Sequence, residues 1–296
     1  LVAGILLLVP QSRDSVLDRI QARIAQEPGA QVGLAYIDLA TRDTLFLNGD
    51  SSFHAASTMK VPVMIELFRR AGTGSFRMNQ GLLMVNQFAS LVDGSAYSLD
   101  VGSDSDSTLY KRIGDRVPVD TLLRLMITRS SNFATNTLIT LVGGEAVTRT
   151  MRELGAERIQ VRRGVEDGKA FEAGLNNTTT ARDLAIILRA IEEGKAAPPA
   201  ATREMLGILL AQEFNEKIPA GLPSGVKVAH KTGEITAVSH DAAIVYPPGR
   251  KPYVLVVLTR GITDGAKSSK LIADISAIVY AHNGAASGGG LTKVTR

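Results

Sequence analysis

Residues 54–64 read "HAASTMKVPVM", and within them Ser57 and Lys60 stand three apart where a polar loop gives way to an apolar run. On a helix that spacing puts both side chains on one face, so the amine of Lys60 can lie beside the hydroxyl of Ser57. A serine hydroxyl is a poor nucleophile until a neighbour removes its proton. A lysine can do so only when neutral, which needs burial or a nearby positive charge. The start of a helix also aims backbone N–H groups at a reacting carbonyl, where they can hold a developing oxyanion. Alone, a Ser-x-x-Lys pair carries little weight, because any exposed helix start can show one by chance.

Two further groups supply partners. In "ITRSSNFATN", Ser130, Asn132 and Asn136 fall at the junction of two expected helices. Such a junction can project a second hydroxyl into a cleft, to pass a proton to a leaving nitrogen, and an amide to hold substrate. Read by itself it is a plain helix N-cap, where Ser and Asn are common. In "AHKTGEI", Lys231, Thr232 and Gly233 come late on an expected strand. Lysine and hydroxyl suit a carboxylate, and glycine permits close backbone approach; alone, this is an ordinary strand end.

The elements that must position these residues follow from periodicity. A helix is expected over "RDSVLDRIQARIAQ" and a β-hairpin over "QVGLAYIDLATRDTLFLNGD". From about 57 to 215 the apolar spacing becomes helical in "STMKVPVMIELFRRAG", "VDTLLRLMITRSS", "FATNTLITLVG" and "TARDLAIILRAIEEG". Strands return in "VKVAHKTG", "SHDAAIVYPP" and "PYVLVVLTR", with a turn at Pro247-Pro248-Gly249, and "SSKLIADISAIVYAHNG" forms a last helix. Strands at both ends and helices between them imply an α+β fold: a sheet lobe from 13–56 and 216–283, a helical lobe from 57–215, and a cleft between. Residues 284–296 read as a flexible tail, and the apolar 1–12 stretch as the remnant of a signal or anchor segment. The Asp/Ser-rich segment 92–115 offers Asp104 and Asp106 to a cation, although a solvated loop is the simpler reading.

Composition narrows the chemistry. With 296 residues and 45% hydrophobic content the chain can bury a sizeable core. It has no cysteine, which removes thiol catalysis, disulfides and thiolate metal sites. The four histidines, His54, His230, His240 and His282, show no metal-ligand spacing, so metal-free, cofactor-free chemistry is expected. A net charge of +4 is scattered, without aromatic interleaving, and reads as a solvated surface that does not bind nucleic acid.

The order Ser-x-x-Lys, Ser-x-Asn, Lys-Thr-Gly resembles that of the serine penicillin-recognising enzymes, most closely the class A β-lactamases, over roughly residues 14 to 283. The resemblance implies a five-stranded antiparallel sheet with flanking helices plus an all-helical lobe. It implies Ser57 as the acylated nucleophile, Lys60 as its proton partner and Ser130 as proton donor to the leaving nitrogen. Lys231 and Thr232, followed by Gly233, meet the substrate carboxylate, and Asn132 its side-chain amide. Backbone N–H groups of Ser57 and Glu234 form the oxyanion hole, and Asn136 is structural beside the site.

The chain departs from that family in several places. Ser131 stands where class A enzymes usually carry Asp. The deacylating carboxylate of the family lies in a Glu-x-x-Leu-Asn loop, and here the region reads "VRRGVEDGKAFEAGLNNTTTARD". Glu166 is the expected base by its distance from Ser130. Glu172, which opens "EAGLN", is the alternative, and a loop without a base is the third reading. Arg162 or Arg163 takes the place of the arginine that braces the loop, with Asn177 at the acidic end. No basic residue follows in "EITAVSHD", and His240 and Asp241, adjacent on a strand, point to opposite faces. The leading expectation is a periplasmic or secreted, monomeric β-lactam hydrolase. The alternatives are a D-alanyl-D-alanine carboxypeptidase acting on peptidoglycan peptides, with slow deacylation, and a sensor that is acylated and signals.

Overall fold

A computed structural model describes residues 15–286. The proposed signal remnant and most of the proposed tail lie outside the described residues. In chain order the elements are α1 (Val16–Ile24), β1 (Gln31–Asp38), β2 (Thr44–Leu47), β3 (Phe53–His54), α2 (Lys60–Gly72), β4 (Gly81–Leu83), β5 (Phe88–Ala89), β6 (Ala96–Tyr97), β7 (Arg116–Pro118), α3 (Val119–Thr128) and α4 (Asn132–Val142). They continue with α5 (Gly144–Glu153), α6 (Gly168–Glu172), β8 (Thr178–Thr179), α7 (Ala181–Glu192), α8 (Pro199–Leu210), β9 (Lys227–Ile235), β10 (Val238–Tyr246), β11 (Tyr253–Arg260) and α9 (Gly265–Ala286).

The termini pair as the two ends of the sequence suggested. One five-stranded antiparallel sheet runs in the order β2-β1-β11-β10-β9. The three central strands, β1, β11 and β10, are buried along almost their whole length because both faces are covered. Period-two alternation assigns Leu34, Tyr36, Leu255 and Val257 to the face covered by α1 and α9, with Ile20, Leu271 and Ile275. Ala35, Ile37, Val254 and Val256 take the other face, in one continuous core with Leu184 and Leu188 of α7 and the helices beyond. The edge strand β9 is therefore held on a rigid slab, and it meets the 3₁₀ turn Ala56–Met59 that leads into α2.

Two expectations need correction. The second lobe is not all helical: β3 pairs with β8, β4 with β7 and β5 with β6 as two-stranded ribbons. At two or three residues per strand these are too short to leave an alternating pattern. Helices α5, α6 and α8 also escaped the periodicity reading; α5, "GEAVTRTMRE", buries only Val147, Thr150 and Met151, a stripe too thin to stand out. At the other end, residues 284–286 belong to α9, not to a tail.

The 3₁₀ turn Pro219–Gly221, between α8 and β9, packs closely against α9. A Cβ built on Gly221 would lie 1.9 Å from the carbonyl oxygen of Ala273 in α9. Gly221→Ala is expected to lose about 3 kcal/mol or more, the scale of overpacking against backbone that cannot yield. Gly207→Ala, within α8 and with nothing within 4 Å of the new methyl, is expected to gain about 0.5–1 kcal/mol from helix propensity. Urea denaturation of both variants measures the pair.

Candidate active site

The chain leaves β3 and enters α2 through a tight turn of 3₁₀ helix, Ala56–Met59. Ala56 adopts φ +45°, sterically costly for a residue with a Cβ, and its N–H donates to Nδ1 of His54 at 3.0 Å. Thr58 Oγ1 donates to Ala55 O at 2.6 Å. These contacts fix the turn so that Ala56, Thr58 and Met59 are buried while Ser57 remains partly open to solvent. Lys60, three residues on, lies on the same face, since i and i+3 eclipse in this geometry.

Lys60 is fully buried, and its Nζ donates to Ser130 O at 2.6 Å, Asn132 Oδ1 at 2.9 Å and Ser130 Oγ at 3.2 Å. Lys231 reaches the same hydroxyl from β9: its Nζ lies 3.0 Å from Ser130 Oγ and 2.8 Å from Thr232 O. Ser130 presents that hydroxyl because it takes φ +57° in the turn between α3 and α4. Burial pushes Lys60 down to about 7, against the opposing pull of the Asp104 and Glu166 carboxylates. The shift is a preference of roughly 5 kcal/mol for the neutral amine relative to a lysine in water. Burial drives Lys231 well below its ordinary value too, and the charge of Lys60 adds to the effect. Two amines on one hydroxyl cannot both remain ammonium in a dry site. Gly233 brings β9 against the turn: a Cβ there would stand 3.1 Å from the backbone nitrogens of both Ser57 and Thr58.

The loop from Arg162 to Asn177 closes the site. Asn136 of α4 clamps it, donating from Nδ2 to Val165 O at 3.0 Å and accepting from Val165 N at 2.7 Å. The loop passes so close that a Cβ on Gly164 would lie 2.4 Å from Asn136 Oδ1. Glu166, the next residue after the clamp, takes φ +60°; it is exposed, and its carboxylate reaches the site's rim, with Oε1 accepting from Asn132 Nδ2 at 2.6 Å and Oε2 from Ser103 Oγ at 3.3 Å. Asn132 is thus shared between Lys60 and Glu166. Glu172 is exposed on α6. Left-handed backbone at Ala56, Ser130 and Glu166 places strain around one small volume.

The sequence profile of the beta-lactamase enzyme family matches residues 15–283. The chain belongs to this family. It is 28% identical over 275 residues to a beta-lactamase of Streptomyces lavendulae, covering 91% of this chain and 87% of that protein. It is 29% identical over 270 residues to beta-lactamase AST-1 of Nocardia asteroides, covering 90% and 83%. Among solved structures, PBP-A superposes with a TM-score of 0.79 at 28% identity over 91% of this chain and 96% of that one. A mutant of PBP-A solved as an acyl-enzyme complex with penicillin G matches equally well. A class A beta-lactamase mutant of the last common ancestor of Gram-negative bacteria gives 0.79 at 25% identity, covering 91% and 99%.

Within this class A β-lactamase fold, the departures noted in the sequence have local structural answers. The loop brace is not an arginine–aspartate ion pair. Asn177 Oδ1 accepts from the backbone N–H of Arg162 and Arg163 and its Nδ2 donates to Arg163 O, while Arg163 donates to Leu175 O and Asn176 Oδ1. An amide can serve both donors and acceptors of a loop where a carboxylate could only accept. Asp104 and Asp106 are not a cation site: Asp104 accepts N–H groups of α4, and Asp106 accepts from Thr108 and faces Arg129. His240 and Asp241 do face apart, but Asp241 meets a histidine that sequence reasoning missed. It accepts from Ile218 N and pairs with His230 Nδ1 at 2.9 Å, across β9 and β10. Alternation puts His230 and Asp241 on the same face of neighbouring strands, a signal present in the strand assignments. Lys217, almost fully buried, was also missed. It ends between Glu216 at 2.9 Å and Glu234 at 3.2 Å, and is the basic residue near the β9 end that the segment after Gly233 lacks.

Asn136→Ala removes both contacts to Val165 while leaving α4's own backbone intact. The amides of residues 163–167 are expected to exchange with deuterium about tenfold faster or more, the loss of two hydrogen bonds worth about 1 kcal/mol each. Hydrogen-exchange mass spectrometry reads this, with the sheet peptides as the unchanged reference.

Proposed function

We propose that this protein is a serine hydrolase that opens the β-lactam amide through an acyl-enzyme on Ser57. Neutral Lys60 takes the Ser57 proton as Oγ attacks the carbonyl carbon. The N–H groups of Ser57 and Glu234 receive the oxyanion. Collapse breaks the C–N bond, and Ser130 hands its proton to the leaving nitrogen, regaining one from the amine beside it. Lys231 and Thr232 hold the substrate carboxylate, and Asn132 its side-chain amide. Glu166 then draws a proton from a water that attacks the ester, returning free Ser57.

The observation that carries the reading is the pair of buried lysines on Ser130 Oγ, next to a partly exposed serine at a helix start. The hydrogen bond that ties Glu166 to Asn132 favours hydrolysis of the acyl-enzyme over the slow deacylation of a carboxypeptidase. The reading extends to a monomer working in the periplasm or outside the cell, where β-lactams meet cell-wall chemistry.

Intact-mass spectrometry with benzylpenicillin tests each role. Ser57→Ala is expected to take no adduct, since losing such a nucleophile costs on the order of a millionfold in rate. Glu166→Ala is expected to accumulate an adduct of full drug mass, its hydrolysis slowed about a hundred- to ten-thousandfold, while Glu172→Ala clears it like the parent. An adduct trapped by Glu172→Ala instead overturns the assignment of Glu166. A parent protein that holds its own adduct for hours returns the function to the carboxypeptidase reading.

A further inference from the structure

Helix α4 carries Asn132 and begins one residue after the strained Ser130–Ser131 turn, so its first N–H groups sit in the site. A helix start needs acceptors for these donors. Ser131 Oγ takes only that of Ala134, at 3.3 Å. The other two are taken by a residue far away in sequence: Asp104 accepts from Asn132 N at 2.9 Å and Phe133 N at 2.9 Å. Its two oxygens also receive Tyr110 OH at 3.0 Å and Asp106 N at 3.1 Å. Asp104 is half-buried. A carboxylate at a helix N-terminus is favoured by the backbone dipoles as well as by the direct bonds.

We propose that Asp104 is a positioning residue for acylation, holding Asn132 against Lys60 and supplying the negative charge that balances the burial of that lysine. The proposal rests on the acyl-enzyme reading above. Its geometric half is the chain from Asp104 to the α4 start, and from Asn132 Oδ1 to Lys60 Nζ at 2.9 Å. Its electrostatic half is that Asp104 is the larger of the two charges pulling Lys60 back up from where burial pushes it. The other groups around Lys60 are accounted for. Glu166 pulls in the same direction from its loop, and Lys231 of β9, itself driven well below its ordinary value by burial and by Lys60, shares the Ser130 hydroxyl. Tyr110 is held neutral by burial and by the Asp104 charge beside it. On β10, His240 is pushed by burial to about 4 and stays neutral, its Nδ1 accepting from Thr259 N and its Nε2 donating to His54 O. Glu66, on α2 itself, is turned to Arg70 and Thr150.

The sign follows. Acylation rises with pH as Lys60 loses its proton. Removing the Asp104 charge removes an upward pull, so Lys60 loses its proton at lower pH. A purely structural cap would lower the rate by one factor at every pH. The experiment is the rate of covalent labelling by a fluorescent penicillin from about pH 5 to 9. For Asp104→Asn the midpoint of the acid limb is expected about one pH unit below the parent, the lower end of what a facing opposite charge contributes. Asp106→Asn, which removes a charge bound to Thr108 and Arg129, is expected to keep the parent midpoint. Asp104→Glu retains the charge and is expected to keep the midpoint even where its longer side chain lowers the rate. It carries the test alone if the asparagine variant does not fold, and a midpoint displaced downward in it overturns the proposal. An Asp104→Asn midpoint equal to the parent's, with a uniform loss of rate, also overturns it. A parent that takes no label contradicts the acylation reading itself, which is a separate result.

Discussion

The hydroxyl of Ser130 lies between two buried amines, and the rest of the site follows from what that arrangement demands. An ammonium withdrawn from water loses several kcal/mol of solvation unless it is paired. Lys60 and Lys231 receive carbonyl and amide oxygens but no carboxylate in direct contact. The electrostatic cost is relieved by deprotonation, which turns a surface-type cation into a base near neutral pH. The same hydroxyl can then donate to one amine and accept from the other, so protons can move between Ser57 and a leaving nitrogen without crossing open water.

Holding two lysines in that state takes rigid support on both sides. Lys60 starts a helix whose following residues, from Val61 to Phe68, are buried. Lys231 stands on an edge strand backed by four more strands and two layers of helix. The left-handed conformations of Ala56, Ser130 and Glu166 cost about 1–3 kcal/mol each and are held by hydrogen bonds to His54, Lys60 and Asn132 in turn. The negative groups, Asp104 and Glu166, gather on the Lys60 flank. The Lys231 flank is backed beneath β9 by Lys217 with its two glutamates and by the His230–Asp241 pair.

Much of this was legible in the chain. Ser57, Lys60, Ser130, Asn132 and Lys231 stand out because each is a polar residue set at the end of a strong apolar period; the fold joins the last four by hydrogen bonds and leaves Ser57 one turn before Lys60. The sheet was readable because β1, β10 and β11 are long and β-branched. The two-residue strands were not, since nothing that short repeats. The role of Asp104 was hidden for another reason: it depends on a contact across 28 positions from a Ser/Asp-rich segment whose local sequence says only loop. The side-chain amide of Asn177 in place of an ionic brace required the course of the loop, which no local pattern encodes, whereas His230 and Asp241 already shared a face by strand alternation and lacked only the register that pairs them.

The central claim is that burial leaves Lys60 neutral at working pH, and it can be measured without substrate. With lysine carrying ¹³C at Cε, an NMR titration of the folded protein follows each amine, and the Lys60 signal is identified by its absence in Lys60→Arg. The account predicts a midpoint at about 7 for Lys60, against about 10.4 for a lysine free in water. A Lys60 signal that stays in the charged form to above about pH 10 would contradict it, and the proton path built on Ser130 would have to be abandoned.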